Sequence, residues 1–222
     1  ELTSSGEVFY EKAKKLLKHS TEMQNEFLEL GNRIPILKIG IPPMFSTIFF
    51  PEVINAFELH HPDIQIELDE FGSVRACNLV QEEKLGLAIV NMEQFNIDKF
   101  ESRVLAKEQL VYVVSKNHPM SGKKYMTIED FKDEKLVMFN VDSVQNELLK
   151  NRFDGIKISP HIIMRSSQLY TTLKFVDKGN CGCFLLSDML PHFREYVGIP
   201  LKPSIDVKIG IIWKKENKLQ ID

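Results

Sequence analysis

The sequence has little of what several common protein classes require. It contains 3 cysteines in 222 residues, which is a small and odd number for a disulfide framework. That usage is typical of the reducing cytoplasm, and we predict a cytoplasmic protein. No apolar run approaches the roughly 20 residues of a membrane span, so no membrane partner is expected. Residues 1–17 are polar and amphipathic and lack the apolar centre of a secretory signal peptide.

Excess positive charge and catalytic motifs are also missing. The 28 Lys and Arg residues are outnumbered by 31 Asp and Glu residues, for a formal net charge of −3. Because nucleic-acid binders normally carry a clustered basic surface, this charge argues against DNA binding by this chain alone. The sequence contains no Gly-x-Ser-x-Gly, P-loop, His-Glu-x-x-His or dinucleotide-binding signature. We therefore predict no catalytic residues, no enzyme activity and no cofactor.

The cysteines and paired histidines do not form a recognisable metal or redox motif. Cys181 and Cys183 are two positions apart, which hardly allows an unstrained disulfide. A zinc site would need further ligands at set spacing, and the surroundings of Cys77 supply none. We interpret the three as buried thiols, with a peroxide or metal sensor as the alternative. The pair His60-His61 ends a predicted helix, where histidines suit the helix dipole, so no metal site is predicted.

The first thirty residues predict one long amphipathic helix. Residues 4–30 are predicted to form one helix, and Thr3, Ser4 or Ser5 could cap the start. An apolar stripe recurs at three- and four-residue spacing through Val8, Ala13, Leu16, Leu17, Met23, Phe27 and Leu30. Such a stripe needs a partner, either a second copy of the helix or the body of the same chain. We predict dimerisation through Val8, Leu16 and Phe27.

From residue 36 onward the pattern alternates between strands and helices, which predicts an α/β fold. The predicted strands are 37–41, 64–68, 87–90, 104–105, 110–115, 136–139, 161–165, 182–186 and 207–213. The predicted helices are 47–60, a helix after Gly72-Ser73 through about residue 84, 127–131, 144–153 and 167–178. Each half of this region repeats a similar order of strands, turns and helices.

Four strand-to-helix corners carry the candidate binding residues. Parallel α/β units bind ligands beyond the carboxyl ends of their strands, where helix N-termini favour anions. Hydroxyl groups at three of these corners indicate donors for a small anion or carboxylate, and plain N-capping is the alternative. Arg75 and Arg165 are further candidate carboxylate ligands. The predicted site consists of Pro43, Met44, Phe45, Ser46, Thr47, Gly72, Ser73, Asn140, Val141, Asp142, Ser166, Ser167 and Gln168.

Several segments, in order along the chain, resemble one protein family. The start, Leu2-Thr3-x-x-Gly6-Glu7-x-Phe9-Tyr10, resembles the junction between the winged helix and linker helix of LysR-type transcription regulators. Three further segments resemble the effector domain of that family. They are Leu37-x-Ile39-Gly40-Ile41, Phe50-Pro51-x-Val53-x-x-x-Phe57-x-x-x-His61-Pro62 and Glu108-x-Leu110-Val111-Tyr112-Val113-Val114-x-x-x-His118-Pro119. Two later segments complete the resemblance, Arg165-Ser166-Ser167-Gln168-Leu169 with its following helix and Ile211-Ile212-Trp213.

The resemblance implies a two-lobed periplasmic-binding-protein-like fold of type 2 with an N-terminal linker helix. Residues 1–33 would be the end of the wing and the linker helix. Residues 36–111 with 206–222 would form subdomain I, and residues 112–205 would form subdomain II. Two crossing strands near 110–114 and 205–210 would act as the hinge between them.

The resemblance also implies a function. The chain would be the effector-sensing and oligomerisation region of a regulator whose DNA-binding domain is missing from this sequence. A small-molecule effector in the cleft would change the arrangement of a homodimer or tetramer, and DNA would be contacted only through the missing domain. The alternatives are a solute-binding protein of a transporter and an enzyme built on the same fold.

Overall fold

The computed structural model describes residues 3–31, 35–93, 97–140 and 143–215. Within 3–31, side chains are described through residue 20, except at Ser4, and again at Met23. The chain divides into two compact units, Glu1–Ile36 with Asp63–Gln65 and Leu37–Pro62 with Ile66–Asp222. None of the helices in the described ranges combines the length and apolar character needed to cross a membrane.

The first helix, α1, covers Ser4–Gly31, close to the predicted span. Thr3 caps it, because its Oγ1 accepts a hydrogen bond from the Gly6 N–H at 3.2 Å. In the predicted dimerisation stripe, Val8 is 59% exposed and Leu16 is 72% exposed. The side chain of Phe27 lies outside the described part of the structure. Dimerisation through this stripe remains a prediction.

The rest of the described chain alternates strands and helices, so the predicted α/β class is confirmed. The α-helices are α2 (Pro43–Ile48), α3 (Phe50–His60), α4 (Ser73–Gln81), α5 (Val144–Gly155) and α6 (Leu169–Lys178). The strands are β1 (Ile36–Ile41), β2 (Gln65–Glu70), β3 (Leu87–Asn91), β4 (Phe100–Ser115), β5 (Lys135–Met138), β6 (His161–Arg165), β7 (Cys183–Leu186), β8 (Tyr196–Pro200) and β9 (Asp206–Lys214). Short 3-10 helices cover Ile97–Lys99, Ile128–Phe131 and Ser187–His192.

Seven strands form one sheet in the order β2-β1-β3-β9-β4-β7, with β8 also paired to β4, while β5 and β6 form a separate parallel pair. Strand β4 pairs with both groups of strands in the large sheet. Its first part, Phe100–Gln109, pairs with β9, and its second part, Leu110–Ser115, pairs with β7 and β8. A single 16-residue strand therefore runs through both halves of the molecule.

Several elements differ from the predictions, including the 3-10 helices Ile97–Lys99 and Ser187–His192, which were not predicted. Residues 47–60 were predicted as one helix, but the chain forms α2 and α3, because Pro51 has no N–H and favours the first turn of a new helix. Strands 104–105 and 110–115 are one strand, because the polar stretch between them pairs with β9 through its backbone. Strand β8 was missed because Gly198 and Pro200 disfavour a strand assignment.

The largest core cluster surrounds the second part of β4. Tyr112 is fully buried there, and its hydroxyl donates a hydrogen bond to Glu134 Oε2 at 2.8 Å. The ring lies so close to Gly182 that a Cβ atom at that position would be 2.3 Å from it. Met44, Val207 and Ile209 belong to the same cluster, so the core reaches from β4 to the corner after β1.

All three cysteines are free and buried. Burial raises the pKa of the Cys77 thiol to about 11 and also raises the pKa values of Cys181 and Cys183. Because the thiolate is the reactive form, these shifts keep the three groups protonated and unreactive near neutral pH. Their surroundings support the interpretation as buried thiols.

Candidate ligand-binding site

The described chain encloses a cavity of about 270 Å³ where strand ends meet helix starts. Its walls come from the residues that follow β1 and β5, from the end of β2 and the residues after it, from the loop before α6, and from strands β3, β7 and β9. The lining residues are Pro42, Pro43, Met44, Phe45, Glu70, Phe71, Gly72, Ser73, Arg75, Asn91, Phe139, Asn140, Ser143, Gln145, Ser167, Leu186, Val207 and Ile209. Residues from all four predicted corners meet there.

The corner after β1 contributes an apolar wall. Pro42 is extended and Pro43 occupies the first turn of α2, so the chain turns sharply as β1 ends. Met44 and Phe45 then line the cavity. The predicted hydroxyls of Ser46 and Thr47 do not, because both donate to the Pro43 carbonyl, at 2.8 Å and 3.3 Å. The Thr47 hydroxyl is used within α2, and the Ser46 hydroxyl is shared between α2 and Glu70.

The corner after β2 contributes the start of α4. Gly72 is the N-cap and has no side chain with which to cap the helix. Ser73 is 4% exposed, and its Oγ accepts a hydrogen bond from the Asn91 N–H at 3.1 Å. This bond ties the start of α4 to the end of β3. Among the described residues, no hydrogen bond uses the Ser73 hydroxyl as a donor.

The same corner supplies the charged lining residues. The Arg75 guanidinium lies 4.5 Å from the centroid of the Phe71 ring, a cation–π contact that orients it. The Glu70 carboxylate also lies within hydrogen-bond distance of the Ser46 Oγ, where it competes with the Pro43 carbonyl for the single hydroxyl proton. Glu70 and Arg75 are the only charged residues among the described lining residues, so their formal charges cancel.

The corner after β5 contributes the start of α5. Asn140, Ser143 and Gln145 line the cavity, while the predicted residues Val141 and Asp142 lie outside the described residues. Ser143 is the N-cap of α5, yet its side chain makes no capping hydrogen bond. Gln145 is 7% exposed, and its Nε2 has no hydrogen-bond partner among the described residues.

The corner before α6 contributes Ser167 alone. The Ser166 Oγ accepts a hydrogen bond from the Gln168 N–H at 3.0 Å, and neither residue lines the cavity. Arg165, a candidate carboxylate ligand, instead donates to the Phe139 carbonyl at 3.3 Å. Of the predicted binding residues, the described structure brings Pro43, Met44, Phe45, Gly72, Ser73, Asn140 and Ser167 together.

Several lining residues were missed by the sequence analysis. Leu186, Val207 and Ile209 come from strands far along the chain and face the cavity only because β7 and β9 flank β4. Gln145 lies in the predicted helix 144–153, just after the corner that follows β5, and no sequence feature marked it as a binding residue. Glu70 ends β2 and Phe71 follows it, so a search of strand ends as well as helix starts would have found both residues.

The cavity presents hydrogen-bond donors and the positive ends of helix dipoles rather than a set of reactive side chains. Histidine and cysteine are both absent from the described lining residues. Across the described ranges, no group of three or more His, Cys, Asp or Glu side chains is arranged to hold a metal ion. Neither N-cap residue, Gly72 of α4 or Ser143 of α5, makes a side-chain capping bond in the described structure. The two helix starts present backbone N–H groups and partial positive charge, which suits an acceptor or anion.

Comparison with known proteins agrees with this arrangement. A family model described as the LysR substrate binding domain matches residues 33–220. The chain belongs to that family. Its relatives include the uncharacterized HTH-type transcriptional regulator YwbI of Bacillus subtilis (strain 168), which is 29% identical over 187 residues. That alignment covers 82% of this chain and 62% of YwbI, so the LysR-type domain spans about three fifths of that relative's length.

Solved structures show the same fold. The effector binding domain of QuiR in complex with shikimate is similar with a TM-score of 0.70 and 21% identity, covering 85% of this chain and 91% of that one. The CcmR regulatory domain of Synechocystis PCC6803 in complex with 2-PG is similar with a TM-score of 0.73 and 17% identity, covering 84% and 91%. The predicted type 2 periplasmic-binding-like fold is thereby confirmed.

These findings separate the functional alternatives. The chain is a LysR substrate binding domain, and the relatives reported for it are named as transcriptional regulators rather than as enzymes. These relatives favour the interpretation as part of a transcription regulator over the alternative of a transporter solute-binding protein, which shares the fold.

Proposed function

We propose that this LysR-type domain senses a small anion, most simply a carboxylate with an apolar body, in the described cavity. One observation carries the proposal: α4 and α5 both start at the cavity, and neither N-cap residue makes a side-chain capping bond in the described structure. Their free N–H groups favour an anionic oxygen. The apolar surfaces of Phe45, Phe71 and Phe139 would contact the rest of the ligand.

The proposed mechanism is a population shift between degrees of closure. We assign residues 36–111 with 206–222 to subdomain I and residues 112–205 to subdomain II. Lining residues come from both, so a ligand that bonds to the starts of α4 and α5 together stabilises the arrangement in which these starts are close. The segments of β4 and β9 that run between the lobes would serve as the hinge.

The change in closure would affect DNA binding through an oligomer of the protein. We propose that the domain acts in the cytoplasm as a homodimer or tetramer, and that DNA is contacted through a separate N-terminal domain. The exposed apolar residues of α1 support a role in assembly, because a surface helix normally buries such a stripe against a partner. The effector would then change the spacing of the DNA-binding domains within the oligomer.

Calorimetric titration of this chain with shikimate, 2-PG and benzoate tests the binding proposal. We expect at least one of these anions to bind with one-to-one stoichiometry. Replacement Ser167→Trp should abolish that binding, because the indole would fill much of a 270 Å³ cavity. Ser102→Trp is the matched control, since Ser102 is exposed on β4 and does not line the cavity. Failure of all three anions to bind, or undiminished binding by Ser167→Trp, would contradict the proposal.

A further inference from the structure

The cavity wall that follows β2 carries one negative and one positive side chain. Glu70 ends β2, Arg75 is the third residue of α4, and both line the cavity. No salt bridge joins these two side chains in the described structure. Because the two charges do not pair with each other, each can interact with a different group of one ligand.

Helix stability does not account for the position of Arg75. A cation in the first turn of a helix lies at the positive end of the helix dipole, which disfavours it. The guanidinium lies 4.5 Å from the centroid of the Phe71 ring, and Phe71 also lines the cavity. Such a contact restricts the guanidinium without using its N–H donors in strong hydrogen bonds, and this planar set of donors matches a carboxylate.

A cavity for an anion without other polar groups would gain nothing from Glu70. A carboxylate on the wall repels a ligand that carries only negative charge and so lowers its affinity. The same carboxylate offers about four acceptor sites, and the Ser46 Oγ, with its single proton, can use at most one of them. A ligand that brings its own hydrogen-bond donor would replace the repulsion with a favourable contact.

We propose that the effector is a carboxylate that also carries a hydrogen-bond donor, either a hydroxyl or an ammonium group. Arg75 binds the carboxylate, and Glu70 accepts from the donor and selects against acids that lack one. This inference rests on the proposed function and narrows the ligand class to hydroxy acids and amino acids.

Calorimetric titration of the chain with two matched pairs of acids tests the ligand class. Shikimate is compared with cyclohexenecarboxylate, which has the same ring and carboxylate without the hydroxyl groups. Phenylalanine is compared with hydrocinnamate, which lacks only the ammonium group. We expect at least one donor-bearing acid to bind about tenfold more tightly than its analogue. The pair that shows this preference distinguishes a hydroxyl from an ammonium group.

Two variants test the separate roles of the charged residues. Glu70→Met removes the acceptor at similar length, so the ratio of affinities between a donor-bearing acid and its analogue should fall to about one. Arg75→Met removes the carboxylate ligand, so both acids of a pair should bind about tenfold more weakly. Glu67→Met on β2 and Arg103→Met on β4 are the matched controls, since both residues are exposed and neither lines the cavity.

A ratio of two affinities measured in one variant separates ligand recognition from a structural role. If Glu70 served only to balance the dipole of α4, Glu70→Met would lower the melting temperature and leave the ratio unchanged, which would overturn the inference. Equal binding by both acids of each pair, unchanged affinities in Arg75→Met, or binding by benzoate or 2-PG alone would overturn it and leave the proposed function standing. Absence of binding by every acid would overturn both.

Discussion

The start of α4 and the start of α5 face the same cavity, and each buries a polar side chain near it. At α4, the Ser73 Oγ is hydrogen-bonded to the Asn91 N–H at 3.1 Å. At α5, the Gln145 amide donor is buried without a partner among the described residues. A paired buried group stabilises the fold, whereas an unpaired one costs stability. The buried polar side chain at the start of α4 is therefore paired within the chain, whereas the one at the start of α5 has no partner among the described residues.

The largest expected effect would come from breaking the loop that holds the α5 side in place. Asn146→Leu removes the donor to the Phe139 and Asn140 carbonyls, and we expect the free energy of unfolding to fall by about 2–3 kcal/mol. Urea denaturation measures this change. Asn151→Leu, at an exposed position of α5, is the matched control and should change it by less than about 0.5 kcal/mol. Equal losses in the two variants would mean that Asn146 does not hold the loop.

A smaller effect should distinguish the two helix starts directly. Ser73→Ala leaves the buried Asn91 N–H without its acceptor, so the free energy of unfolding should fall by about 1–2 kcal/mol. Ser143→Ala removes a hydroxyl that makes no capping bond and should cost less than about 0.5 kcal/mol. Urea denaturation of both variants gives the comparison. If Ser143→Ala costs as much as Ser73→Ala, the α5 start is not left open in the way we describe.

The same contrast explains how far the sequence could predict the site. Strand-to-helix alternation is a local pattern, so β1, β6 and the corners after β1, β2 and β5 were predictable. Met44, Phe45 and Ser73 lie within two residues of a helix start and were found for that reason. The position of β6, His161–Arg165, matched its prediction at both ends.

What the sequence could not predict depends on distant contacts. Val207 and Ile209 reach the cavity because β9 lies between β3 and β4 in the sheet, an order that no local pattern encodes. Ser46 and Thr47 have the residue type of ligand donors, but the α2 carbonyl of Pro43 accepts from both hydroxyls. Gln145 was missed because an unpaired buried donor is a property of three-dimensional packing and not of residue type.

The smallest expected effect concerns Glu108 on β4, which belongs to neither helix start. Glu108 is 8% exposed and accepts hydrogen bonds from the Ser187 hydroxyl at 2.8 Å and the Asp188 N–H at 3.2 Å. Burial, with the Asp188 charge adding to it, raises the pKa of the Glu108 carboxyl above its usual value. The folded state therefore holds this proton more tightly than the unfolded state, and the contribution to stability falls as pH rises through the raised pKa.

Glu108→Gln removes that titration and keeps an oxygen that can accept from Ser187 and Asp188. We expect the variant to gain stability relative to the original chain between about pH 4 and about pH 7, because only the original chain must bury a carboxylate at the higher pH. Urea denaturation at both pH values measures the difference, with Glu101→Gln, exposed on the same strand, as the control. A difference that shrinks as pH rises would show that the folded state favours the charged carboxylate. Glu108 would then stabilise the crossing strand in its charged form, like the paired Ser73 and unlike the unpaired Gln145.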